Sequence, residues 1–77
     1  MLTSGEIKFV EYQKGMTGSF YTRLFRLMAV ADGENLELLE KVYPEHVRAH
    51  LRYSNEKGYW ELLKKRYEVR FKIKLET

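Results

Sequence analysis

The end of the chain shows a strict alternation of apolar and charged residues. It runs from Glu68 to Glu76. Successive side chains of a strand point to opposite faces, so this pattern predicts a β-strand with one buried and one exposed face. The apolar side carries Val69, Phe71, Ile73 and Leu75, and the charged side carries Glu68, Arg70, Lys72, Lys74 and Glu76. The exposed face of this strand is therefore expected to be mostly basic.

A second strand is predicted near the start of the chain. The segment from Glu6 to Gln13 is rich in residues that favour strands, among them Ile7 and Tyr12. Its alternation is imperfect because Phe9 and Val10 are adjacent, so we expect a strand that is bulged or covered on both faces. Two glycines follow, and they interrupt the chain before the next element.

Four helices are predicted between the two strands. The first has apolar residues at the i, i+4, i+7, i+8 and i+11 positions that form one face of a helix. Pro44 suits the first turn of the third helix, and Asn35 suits the N-cap of the second. Either Thr17 or Ser19 would cap the first helix, and Gly33 would end it in the left-handed conformation. The predicted ranges are Ser19 to Asp32, Leu36 to Val42, Pro44 to about Tyr53, and roughly Glu56 to Tyr67.

The order of elements is therefore β-α-α-α-α-β, and the predicted fold class is α+β. The N- and C-terminal strands are expected to pair as a two-stranded sheet, with the helices packed on one face. A sheet of two strands is marginal without such cover. Its exposed edge could join that of a second copy, giving a four-stranded sheet across a homodimer. With 77 residues, the whole chain, 1–77, is expected to be a single domain.

Composition narrows the class of protein. The chain is 44% hydrophobic and 32% charged, which is typical of a folded domain rather than of a disordered chain. It has no cysteine, so disulfides and thiolate metal sites are excluded, and a cytoplasmic location is the simplest expectation. No membrane helix or signal peptide is expected from the apolar pattern. The net charge of +3 permits an acidic partner or a nucleic acid without requiring either.

The side chains that could do chemistry form no recognisable catalytic or metal site. His46 and His50 are one helical turn apart, but a zinc site needs a third ligand, and the chain has no other histidine and no cysteine. The serines lack the surroundings of a nucleophile, and the glutamates fall mostly on predicted helix surfaces. Residues 15–19 precede a helix and could hold a phosphate, but they lack the lysine and spacing of a P-loop. We therefore predict a non-enzymatic protein without metal or cofactor.

The basic residues of the two predicted strands suggest a nucleic-acid face. If the strands pair with their apolar sides inward, the opposite face, which also carries Val10, holds the candidate nucleic-acid residues Lys8, Tyr12, Arg70, Lys72 and Lys74. Cations that neutralise phosphates, interleaved with an aromatic ring that stacks on bases, are typical of nucleic-acid binding. A solvated sheet face whose lysines discourage edge aggregation would have the same pattern.

Aromatic residues favour a different hypothesis, protein binding. Tyrosine and tryptophan are common at interfaces because they join a large apolar body to a polar tip. Tyr59 and Trp60, next to Gly58, are the candidate contact residues. The leading hypothesis is a small interaction module that binds an unidentified protein partner or associates with itself as a dimer. The alternative is a small basic nucleic-acid-binding protein, and no membrane partner is expected.

Overall fold

The computed structural model describes residues 1–75, and within them the chain forms five helices and no strand. The helices are α1 (Ser4–Gln13), α2 (Ser19–Val30), α3 (Gly33–Val42), α4 (Pro44–Asn55) and α5 (Tyr59–Phe71). The predicted α+β class is therefore wrong. The two-stranded terminal sheet and the four-stranded sheet across a dimer are wrong with it. The fold is a small bundle of short helices: α1 replaces the first expected strand, and the last turn of α5 takes the first four residues of the second, Glu68–Phe71.

The segment predicted as the first strand forms α1 instead. Thr3 is its N-cap: the Thr3 hydroxyl accepts a hydrogen bond from the Glu6 N–H, and the Glu6 carboxylate accepts one from the Thr3 N–H, each at 3.0 Å. This reciprocal pair is a capping box, which satisfies two backbone donors at the helix start. Phe9 and Val10, whose adjacency weakened the strand pattern, are both buried on one face of the helix. The T-x-x-E spacing was the sequence signal for a helix here.

The helices α2, α3 and α4 lie where the helical periodicity placed helices, with differences at their ends. Gly18, with no side-chain hydrogen bond, is the N-cap of α2. The Asp32 carboxylate caps α3 by accepting from the Asn35 N–H at 2.8 Å, so Asn35 lies inside the helix and not at its cap. Gly33, expected to end the preceding helix, is the first residue of α3. α4 begins at Pro44, as predicted.

The C-terminal alternation does not form a strand either. α5 continues through Phe71, and Lys72 then takes the left-handed conformation, with φ of 55°, and ends the helix. The Glu68 carboxylate accepts a hydrogen bond from the Leu75 N–H at 2.7 Å, which fixes the chain just after the helix. A strand here would have no partner, because the N-terminal segment is helical, whereas a helix satisfies its own backbone groups.

Burial contradicts the predicted strand as well. Among the four residues expected on its apolar side, only Leu75 is buried. Val69, Phe71 and Ile73 are between 41% and 74% exposed. Glu76, the last residue of the predicted strand, lies outside the described residues.

The core is built around α1 and α4: α1 contacts α2, α4 and α5, and α4 contacts each of the other four helices. The Phe9 ring is 1% exposed and meets the Phe25 ring of α2 edge-on, with 5.3 Å between ring centres. The large side chains with the least exposure come from four helices: Phe9, Val10, Phe25, Met28, Val47 and Leu63. No residue of α3 is buried to this degree.

α1 and α4 approach each other closely at Gly5. A Cβ atom on this residue would lie 2.5 Å from the backbone nitrogen of His46 and 2.7 Å from the Cβ of Glu45. These distances are shorter than van der Waals contact, so only glycine fits. The Gly5 N–H also donates to the Glu45 carboxylate at 3.3 Å. The crossing of these two helices therefore depends on the missing side chain.

Candidate interaction surfaces

The predicted basic face is not assembled, because residues 1–75 contain no sheet to carry it. Lys8 lies on α1, with its ammonium 3.4 Å from the Glu11 carboxylate and 5.0 Å from the centre of the Tyr21 ring. Tyr12, also on α1, is half-buried and stacks on Phe25 with 5.1 Å between ring centres. Both side chains are engaged with neighbours inside the bundle.

The other three cations of that predicted face lie together at the end of α5. Arg70 is in the last turn of the helix, Lys72 ends it, and Lys74 lies just beyond. All three are exposed. Cations at this position complement the negative end of the helix dipole. The basic region at this end of the molecule is therefore a helix terminus and not a strand face.

The two residues predicted as a protein contact lie mainly inside the bundle. Tyr59 is 3% exposed, and its hydroxyl donates a hydrogen bond to the Glu6 carboxylate at 2.7 Å. Trp60 is half-buried: its ring meets Phe9 edge-on, 6.3 Å between centres, and the Lys64 ammonium lies 5.6 Å from the ring centre. Tyr59 therefore presents almost no surface to a partner, and Trp60 presents only part of its ring.

Two hydrogen bonds connect α5 to α1, one from Tyr59 to Glu6 and one from Tyr67 to Glu11. Burial raises the pKa of Tyr59 far above its usual value, and the hydrogen bond to Glu6 raises this pKa further. The Tyr67 hydroxyl donates to the Glu11 carboxylate at 3.0 Å, and burial together with this bond raises the pKa of Tyr67 as well. Both phenols are therefore held neutral as donors, which is a structural use of the carboxylates.

His46 is a buried aromatic residue of α4. It is 8% exposed, and neither ring nitrogen has a hydrogen-bond partner among the described residues. Its ring stacks on Tyr21 with 5.6 Å between centres and meets Tyr43 edge-on. Burial lowers the pKa of His46; Glu45 opposes this shift and Lys8 reinforces it. The imidazole therefore packs as a neutral ring.

The structure gives no support to a metal site at His46 and His50 or to a phosphate site at residues 15–19. His50 is half-buried, and burial lowers its pKa. Within the described part of the chain, no three histidine, aspartate or glutamate side chains converge as metal ligands. In the segment 15–19, Gly15 has a φ of 69° and Gly18 is the extended N-cap of α2. A turn that leads into a helix accounts for both glycines.

An exposed apolar patch runs along α2 and onto α3. It consists of Phe20, Leu27, Val30 and Leu38, which are between 51% and 80% exposed, and we call it the α2–α3 surface. A groove of about 410 Å³ between the two helices is lined by Leu27, Val30 and Leu38, together with the half-buried Leu39. Leu27 also borders a depression beside Phe20, so the patch is continuous.

The two helices of the α2–α3 surface carry opposite charge. α2 has two arginines and no acid, whereas α3 has three glutamates and one lysine. The side chains of Arg23, Arg26, Glu34 and Glu37 are exposed, and none of them forms an ion pair within residues 1–75. A surface with cations on one side and acids on the other is complementary to a second copy of itself.

A second apolar depression, which we call the basic groove, lies between the N-terminal residues and α5. Its volume is about 540 Å³. Its apolar lining is Met1, Leu2, Leu62 and Val69, and its charged lining is Lys65, Arg66 and Arg70. No acidic residue lines it among the described part of the chain. An apolar depression bordered only by cations is suited to an acidic, partly apolar ligand.

Neither surface was predicted from the sequence, although the sequence contains a pattern that corresponds to each. Positions 62, 65, 66, 69 and 70 have the spacing of one helix face, but the prediction divided them between a helix and a strand. On α2, the periodicity predicted one apolar face that includes Phe20, Leu24, Leu27 and Met28, widened by Phe25. The structure buries Leu24, Phe25 and Met28 and leaves Phe20 and Leu27 exposed. A helix that is apolar over more than its core-facing side was the signal for the α2–α3 surface.

Comparisons with known proteins found no relative. No protein-family model, no curated protein and no solved structure matches this chain. None of the helices within the described residues has the length and hydropathy needed to cross a bilayer. The function must therefore be argued from the two surfaces themselves.

Proposed function

We propose that this chain is a small, non-enzymatic interaction module of the cytoplasm that forms a homodimer through the α2–α3 surface. The observation that carries the proposal is the exposure of four large apolar side chains on one continuous face. Contact of such side chains with water is unfavourable, and contiguous apolar patches mark interaction sites. α3 has no fully buried residue in the single chain, and a second chain would supply the burial it lacks.

The charge pattern favours a second copy as the occupant of this surface. In a two-fold dimer the same patch contributes from both chains, so that α2 of one copy lies against α3 of the other. Arg23 and Arg26 of each chain would then face Glu34 and Glu37 of the other chain. Opposite charges at the rim of an interface fix its register and speed association. This helical interface replaces the sheet-edge dimer expected from the sequence.

The first test compares two exposed valines. Val30, in the α2–α3 surface, is 80% exposed, and Val69, in the basic groove, is 74% exposed. We expect the unmodified protein to show a concentration-dependent dimer mass by sedimentation velocity. Val30→Glu should weaken the dimer by about tenfold or more, because a carboxylate would be buried at the interface. Val69→Glu adds the same charge and should leave the dimer intact.

A charge-swap experiment tests how the two chains are arranged. One variant carries Arg23→Glu and Arg26→Glu, and the other carries Glu34→Arg and Glu37→Arg. Each variant alone places like charges opposite each other and should be mostly monomeric. Mixed together, their α2 and α3 helices are complementary again, so a heterodimer should form. A monomeric unmodified protein at about 1 mM, or a dimer that Val30→Glu leaves unchanged, would exclude the proposal.

A further inference from the structure

We infer that the basic groove is a binding site for an acidic amphipathic segment of a partner protein. This inference concerns a different face of the molecule from the dimer surface and does not depend on it. The groove has the volume of a small-ligand or side-chain pocket, about 540 Å³. It is bordered on one side by the N-terminal residues and on the other by α5.

The groove exists because α5 has two apolar faces. One face buries Tyr59, Leu63 and Tyr67 against the bundle. Leu62 and Val69 project from another face and remain 40% and 74% exposed. Residues seven positions apart occupy nearly the same side of a helix, so these two side chains form one apolar strip along two turns. Met1 and Leu2 border the strip, and both of its side chains remain partly exposed to solvent.

The charges beside the strip select the chemistry of the ligand. Lys65, Arg66 and Arg70 line the groove, and within residues 1–75 none of them forms an ion pair. The two acids of α5 do not line it: Glu61 is absent from its walls, and the Glu68 carboxylate accepts a hydrogen bond from the Leu75 N–H. Arg66 also borders a neighbouring depression lined by Glu6 and Glu45, whereas Lys65 and Arg70 line the basic groove alone. Cations that form no ion pair within residues 1–75 favour carboxylates on the ligand, to which arginine donates paired hydrogen bonds.

Both features together favour a peptide over a nucleic acid or a membrane. The apolar strip needs apolar side chains to cover it, and the cations need acids one turn apart, which is what an amphipathic acidic helix offers. A nucleic acid would neutralise the cations, but the apolar lining of the groove contains no aromatic ring on which bases could stack. A membrane surface favours a strongly amphipathic helix, whereas α5 is the least amphipathic of the five helices.

The test is a titration followed by fluorescence anisotropy. The probe is a labelled helical peptide of roughly four turns, with leucines at i, i+3, i+4 and i+7 and glutamates beside them. Two control peptides replace the glutamates by glutamine or the leucines by serine. We expect the acidic leucine peptide to bind at least about tenfold more tightly than either control, and its affinity to fall with salt.

Protein variants then locate the site. Val69→Glu should weaken peptide binding by about tenfold or more, whereas Val30→Glu on the α2–α3 surface should have no effect. Lys65→Glu should weaken it by about threefold to tenfold, whereas Lys57→Glu, an exposed lysine outside the groove, makes the same charge change as a control.

The outcomes that overturn the inference are distinct from those that overturn the dimer. If the glutamine peptide bound as tightly as the acidic peptide, the cations of the groove would not contribute to ligand recognition, and the inference would be wrong. Tighter binding of single- or double-stranded DNA or RNA than of the acidic peptide, unaffected by Val69→Glu, would assign the cations to nucleic acid instead. No peptide binding at about 1 mM protein would also exclude the site. The mass measurements on Val30→Glu decide the dimer independently of these results.

Discussion

The helices α1 and α3 have the same length but differ in burial: α1 lies in the core and α3 lies at the surface. Each has ten residues, and each is capped by a side chain that accepts a backbone N–H, from Thr3 and from Asp32. α1 buries four residues and contacts three other helices, whereas α3 buries none fully and packs mainly on α4. Good local capping is therefore shared by the most buried and the least buried helix, and what separates them is packing.

The difference in burial implies that one part of the chain stabilises the fold and another part is available for binding. The burial of apolar area is the dominant favourable term in folding, so α1 and its neighbours hold most of the stability. α3, together with the outer side of α2, keeps apolar surface that the fold does not use. Substitutions in the first region should therefore affect unfolding, and substitutions in the second should affect association.

The largest effect is expected from Phe9→Ala in α1. The ring is 1% exposed and contacts four other aromatic rings, so its removal should cost about 3–5 kcal/mol in the free energy of unfolding. Leu38→Ala in α3, at a residue 53% exposed, should change it by no more than about 0.5 kcal/mol in the monomer. Urea unfolding followed by circular dichroism, at a concentration where the chain is monomeric, measures both. Similar losses at the two positions would remove the contrast between the helices.

A smaller effect is expected from a pair of glycines. A methyl group at Gly5 would collide with the backbone of α4, so Gly5→Ala should cost about 1–3 kcal/mol, part of it through a shift of the two helices. A methyl group at Gly33, the first residue of α3, would meet nothing within 4 Å, so Gly33→Ala should be neutral or stabilising by up to about 1 kcal/mol. Melting temperatures of the two variants, compared with the unmodified protein, test the pair. A Gly5→Ala protein as stable as the unmodified one would refute the close approach of α1 and α4.

The smallest effect is expected at His46, which lies between the buried helices and the end of α3. His46 of α4 packs between Tyr21 of α2 and Tyr43, next to the end of α3, with no partner for its ring nitrogens in residues 1–75. At neutral pH, His46→Phe should leave stability unchanged or raise it by about 1 kcal/mol, because no buried polar atom is left unsatisfied.

The pH dependence of His46→Phe follows from the direction of the pKa shift. The pKa of His46 is lowered in the folded state, so below pH 6.5 the unfolded chain binds a proton that the folded chain does not. Stability from this group is therefore complete above the unfolded pKa and is lost as the pH falls. His46→Phe should remove that loss, while His50, whose pKa is also lowered, titrates in both proteins. Equal acid slopes for the two proteins would contradict a buried neutral imidazole.

The sequence predicted the middle of the molecule better than its ends. The helical spacing of apolar residues located α2, α3, α4 and the part of α5 up to Tyr67, and Pro44 marked the start of α4. The terminal segments were wrong because strand-favouring residues and strict alternation were weighed above helix signals. At the start of the chain the overlooked signal was the capping box of Thr3 and Glu6. At the end, the spacing of Tyr59, Leu63 and Tyr67 did predict a helix, and the error was to stop it at Tyr67 when α5 continues to Phe71.

The candidate surfaces could be predicted less well than the helices. The cations Arg70, Lys72 and Lys74 do lie together, because they are neighbours in the chain. Lys8 and Tyr12 were joined to them only through a sheet that residues 1–75 do not form. Tyr59 was taken for a contact residue because its type is common at interfaces, and its partner, Glu6, is 53 residues away in the chain. A pairing over such a distance is invisible to local patterns.

The amino-acid sequence was enough to locate the helices in the middle of the chain and the start of α4 at Pro44, and to exclude any disulfide or thiolate site. Which apolar side chains enter the core depends on how the helices pack. Helix periodicity predicts which residues share a face, but it does not predict whether another helix covers that face. α1 takes the centre because Gly5 lets α4 approach it closely, and the outer sides of α2 and α5 are left over as the two surfaces proposed for binding.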